Sequence, residues 1–172
     1  MARSGPGQAA LPAPRHDDRV GISVEALISY VERALAEMAG IVSGLGDDLA
    51  NRRPGLPGAN SPYAILRHTL GVLEFWGGQV VAGRTVERDR DAEFRAAGPV
   101  AGLIKAAGEA THRFRADAGL ADPAAAPRGA HPGMRPGELE VTSQGHALLH
   151  VLEEVTQHLG QLEITRDLLR RD

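Results

Sequence analysis

The chain has 172 residues, enough for one compact domain and short for two. Its formal net charge of -3 gives no electrostatic case for nucleic acid, and the absence of cysteine excludes disulfides, thiolate metal ligands and a cysteine nucleophile. Apolar residues make up 42% but aromatics only 3%, so the core must be built from Leu, Val, Ile and Ala, a composition suited to closely packed helices. No apolar run reaches membrane-spanning length and the opening segment lacks a signal-peptide run, so a cytoplasmic protein with no membrane partner is expected.

Residues 1–20 are rich in Gly, Pro, Ala and charge without periodicity, and read as a disordered leader ahead of a single domain over 21–172. The first helix is expected to start near Ser23 as N-cap, with an apolar stripe from Val24 through Leu27, Val31, Leu35 and Met38 to Leu45, and to end at Gly44 and Gly46. NRRPGLPGAN is then a linker. A second helix starts sharply, with Ser61 as N-cap and Pro62 at the first helical position, and runs to about Gly83. His68 falls at the edge of its buried face, a half-buried position beside Val72 and Phe75. RTVERDRDAEFRAAG reads as a charged connection, and a third helix follows from about Pro99 to Ala118. A Pro/Gly-rich loop occupies residues 119–140, and a loop of that length is often functional. The fourth helix begins near Thr142, with Leu148, Val151, Val155, Leu159 and Leu162 on its core face. No repeat and no strand-like alternation appears, so the expected fold is all-α, a four-helix bundle.

Chemistry concentrates in the fourth helix, where His146, His150, Glu154 and His158 recur at four-residue spacing. Each step of four turns a helix by about 40°, so these side chains share one stripe. Glu154 and His158 sit at the edge of the core face, as His68 does on the second helix. Two ligands from one helix and one from another would hold a divalent metal and leave a coordination position open, the arrangement of catalytic zinc. His150 and His146 would be further ligands, hydrogen-bonding supports or substrate contacts. The competing reading is a helix with solvated edge histidines, the role expected of His16, His112 and His131.

The segments SPYAILRHTLGVLEFWGGQVVAG and ALLHVLEEVTQHLGQLEITRDLL resemble the DinB-like (DinB/YfiT-like) superfamily of four-helix metalloproteins. They look most like its actinobacterial branch of mini-circle-type proteins and mycothiol-dependent maleylpyruvate isomerases. The carrying motifs are HTLGVLEFW and EVTQHLGQ; many superfamily members have His where this chain has Glu154, whereas the isomerase branch has Glu. The resemblance implies that His68, Glu154 and His158 are metal ligands, usually for zinc. It further implies an enzyme that activates a low-molecular-weight thiol, mycothiol, for transfer or isomerisation. In that role His150 would hydrogen-bond a ligand or substrate, and Gln161 would orient the groups behind the metal. Arg84 would bind a carboxylate of the thiol cosubstrate, or be an exposed charge. Two alternatives stay open: a metal-dependent hydrolase, and a non-catalytic metal- or ligand-binding protein of a stress response. A small-molecule substrate is expected, no nucleic-acid partner, and an unassigned apolar helix face leaves room for a homodimer.

Overall fold

Short oxygen-bearing side chains start four of the helices in the structure, a computed structural model that describes residues 21–131 and 140–171. Ser23 accepts from Ala26 N, Ser61 from Ala64 N, Asp89 from Ala92 N and Ser143 from His146 N, each satisfying an amide that the first helical turn leaves open. The elements are α1 (Val24–Asn51), α2 (Pro62–Val72) continuing as a π-helix (Leu73–Val81), α3 (Arg90–Arg95), α4 (Val100–Gly119) and α5 (Gln144–Leu169). The fold is an all-α bundle of four long helical rods, with α3 as a short addition and no strand among the described residues. The expected leader over 1–20 and residues 132–139 of the long loop lie outside the described residues.

The rods pack in a way the apolar stripes dictate. α1 lies against α5, α4 and α2, while the π-helix bridges to α4 and α5. Val31, Met38, Ile65, Phe114, Val155 and Leu162 are among the side chains sealed in the core between them. None of the helices among the described residues is long and apolar enough to cross a membrane.

Three features depart from the sequence expectation. First, α1 does not stop at Gly44 and Gly46: Gly46 adopts φ 68° and ψ 177°, kinking the helix, and one more turn continues to Asn51. That turn is retained because it is tied to α4. Asp47 Oδ1 accepts from Val100 N at 2.7 Å, and the Asn51 side chain exchanges hydrogen bonds with both backbone groups of Gly98. Second, the α2 rod widens into π geometry, with Ala82 N reaching back to Gly77 O. A Cβ at Gly77 would lie 2.7 Å from Phe114 Cδ2, so the glycine is what lets the Phe114 ring of α4 press against the rod. Third, the charged connection contains α3, whose Glu93 is buried with 4% of its surface exposed.

Candidate metal centre

Two elements build one polar cluster at the edge of the core. α2 supplies His68; α5 supplies Glu154 and, one turn later, His158. His158 Nε2 lies 3.3 Å from Glu154 Oε2, and His68 Nε2 lies 4.0 Å from that same oxygen. The His68 and His158 rings meet edge to face, with centroids 4.8 Å apart. One ligand atom from each of the three residues can be chosen so that all lie within 4.8 Å of one another. Donors bound to one tetrahedral zinc sit about 3.4 Å apart, so the Glu154–His158 pair already has that span and small side-chain adjustments bring in His68. Two imidazole nitrogens and a carboxylate oxygen are a donor set that suits zinc and related divalent ions. The structure thus brings together the three residues expected to hold a metal, although His68 is buried rather than half-buried. The reason is α3: Phe94 stacks on the His68 ring at 4.2 Å, covering a face the sequence left open.

The residues around the cluster set its protonation. His158 Nδ1 is 2.9 Å from Gln161 Oε1, which accepts its proton and leaves Nε2 facing Glu154. Burial opposes charge on His158, but the hydrogen bonds to Glu154 and Gln161 outweigh it and raise its pKa. The His158 hydrogen bond in turn holds the Glu154 carboxyl below its ordinary value, against burial. His68 goes the other way, its pKa lowered chiefly by burial.

Glu93 is the residue that sequence reasoning missed. Its Oε2 lies 2.8 Å from His68 Nδ1, and Arg88 grips it with Nε at 2.8 Å from Oε1 and Nη2 at 3.0 Å from Oε2. Burial alone would raise the Glu93 pKa, but the hydrogen bonds from His68 and Arg88 prevail and hold it at about 2. The only signals in the sequence were Asp89, able to cap a short helix, and Phe94, one apolar residue in a charged run.

The remaining expected residues lie at different distances from this cluster. His150 is beside it: Nε2 is 3.8 Å from Glu154 Oε1, and the ring packs edge-on against Trp76 at 4.6 Å. His150 also lines a cleft of about 420 Å³ with His146, Leu149, Val141, Glu140 and Glu153. His146 is exposed and its Nδ1 is 3.0 Å from the Thr142 hydroxyl. Arg84 is engaged elsewhere. Its Nη2 donates to Asp117 Oδ2 and Glu74 Oε2, both at 2.8 Å, and its Nε also faces the Asp117 carboxylate. The donors expected for a cosubstrate carboxylate are therefore used to brace the π-helix against α4.

A helical bundle with a His/Glu/His cluster drawn from two of its rods defines a DinB-like protein. The sequence model of the mycothiol-S-transferase family matches residues 26–171, and the chain belongs to that family. Comparison with curated proteins gives no match. Among solved structures, a conserved protein from Enterococcus faecalis is similar, with a TM-score of 0.62 and 13% identity over 87% of this chain and 98% of that one. At that identity the likeness speaks for the fold alone.

Proposed function

We propose that the chain is a zinc-dependent enzyme that uses mycothiol, a low-molecular-weight thiol, for transfer or isomerisation, with His68, Glu154 and His158 holding the ion. The observation that carries this reading is the convergence of those three side chains, their ligand atoms within 4.8 Å, in a member of the mycothiol-S-transferase family. A zinc ion in such a site supplies a Lewis-acidic centre that lowers the pKa of a thiol brought to it.

The chain's own residues do the rest. Having no cysteine, the protein takes its nucleophilic sulfur from the small molecule. Gln161 keeps the His158 ring turned so that Nε2 faces the cluster. His150 stands between Glu154 and the 420 Å³ cleft, placed to hydrogen-bond a substrate lodged there. Val141 and Leu149 give that cleft an apolar wall, suited to an electrophile with a hydrocarbon part. Arg84 holds the π-helix, and with it Trp76, against which His150 rests.

Metal content of tag-free protein, beside His68→Ala, Glu154→Ala and His158→Ala, tests the centre. About one zinc per chain, lost in each variant, is the expected result. Zinc-loaded protein should then consume electrophiles only when mycothiol is present. A folded wild type that takes up no metal overturns the reading. Equal turnover without thiol overturns the thiol half of it and leaves a hydrolase.

A further inference from the structure

We infer that Glu93, gripped by Arg88 and seated on Gly71, is a positioning residue of the metal centre, holding the His68 imidazole as its Nδ1–H tautomer so that Nε2 is aimed at Glu154 and His158. The inference rests on the metal reading above and concerns residues that none of the three ligand positions includes.

The hydrogen-bond geometry carries it. An ionised carboxylate can only accept, so the 2.8 Å approach of Glu93 Oε2 to His68 Nδ1 requires the proton to sit on that nitrogen. Arg88 supplies donors to both Glu93 oxygens. Its Nη2 also comes within 3.4 Å of His68 Nδ1, a spacing explained by two donors converging on a single acceptor oxygen. With Nδ1 carrying the proton, the free lone pair is on Nε2, the atom that faces Glu154. Phe94, next to Glu93 on α3, stacks on the same ring and fixes its plane.

The seat for Glu93 is part of α2 itself. Gly71 lies one turn after His68, and a Cβ there would overlap the Glu93 carboxylate. The side chains of His68 and Glu93 are only 3% and 4% exposed, so the contact between them is itself shielded from water. Behind the dyad, a polar cleft of about 630 Å³ is lined by Arg67, Gly71, Arg88 and Glu93 and by none of the three ligand candidates. The short helix α3 thus reaches the His68 ring through both Glu93 and Phe94.

The test compares Glu93→Gln and Gly71→Ala with wild type, each checked for native helicity by circular dichroism. Zinc affinity is read by competition with a chromophoric chelator. The His68 tautomer is read in metal-free protein from long-range nitrogen-15 imidazole spectra. Both variants should bind zinc about 10–100-fold more weakly than wild type. Wild-type His68 should carry its proton on Nδ1, and Glu93→Gln should show a mixture of tautomers. Gly71→Ala removes no charge and no hydrogen-bonding group, so the same loss there points to placement of the carboxylate. If Glu93→Gln does not fold, Gly71→Ala and the wild-type spectrum decide. Wild-type zinc affinity in a folded variant, or an Nε2–H tautomer in wild type, overturns this inference and leaves the metal reading standing. A wild type that takes up no zinc overturns both.

Discussion

At the scale of single residues, the cluster is held by charges that survive burial because each has a partner. Glu93 keeps its negative charge with 4% of its surface exposed, since Arg88 and His68 together outweigh the loss of water. The consequence is a defined acid response. The unfolded chain protonates this carboxyl near the ordinary 4.5, the folded chain near about 2. The stability it contributes is therefore present in full above pH 4.5 and is lost as pH falls through about 2. The urea midpoint of metal-free wild type should drop across that window more steeply than that of Glu93→Gln. Identical slopes would mean that folding does not shift the pKa of this carboxyl. Gln161 works at a smaller stake: Gln161→Ala removes only the acceptor behind His158. It should weaken zinc binding by about 10-fold in the chelator competition, far less than His158→Ala does.

At the scale of elements, the helix starts were the most legible part of the chain. Ser23, Ser61 and Pro62 announce α1 and α2 because capping is local chemistry, decided within three or four residues. The last turn of α1 was not legible for the opposite reason. It persists through Asp47, which accepts from Val100 N 53 residues away, in place of the side-chain cap that Pro99 cannot give α4. Asp47→Ala should cost about 1 kcal/mol in urea unfolding, the usual worth of a cap although this one comes from another helix. α3 escaped because six residues are too few to show a helical period, and its one buried member is a glutamate. The π-helix is likewise a tertiary outcome. Apolar spacing through LEFWGGQVV fits an ordinary helix, and nothing local marks the approach of Phe114 to Gly77. Gly77→Ala should destabilise the protein by about 1–3 kcal/mol through overpacking against a ring that is 1% exposed. An unchanged urea midpoint in that variant would show that the rod can shift away from α4 freely.

At the scale of the whole molecule, the convergence of His68, Glu154 and His158 was readable because all three lie at core-facing edges of long helices, which a bundle brings together. The carboxylate and guanidinium behind them were not, since a charged run between helices normally stays in water. Joining α2 to α5 also gives a bound ion leverage over the whole fold. Zinc at 100 times its dissociation constant should stabilise the native state by about 2.7 kcal/mol. That corresponds to a rise of about 5–10 °C in melting temperature for a domain of this size, reversed by a chelator and absent in His68→Ala. The same division of the site between two distant helices has a bearing on biosynthesis. A ribosome releases α2, and with it the Arg88–Glu93 support for His68, long before Glu154 and His158 on α5 have been made. The growing chain therefore carries a single prepared imidazole, too little to retain an ion. If the site holds an ion, loading has to follow the emergence and docking of α5, and a chain truncated ahead of Glu154 lacks two of the three ligand candidates.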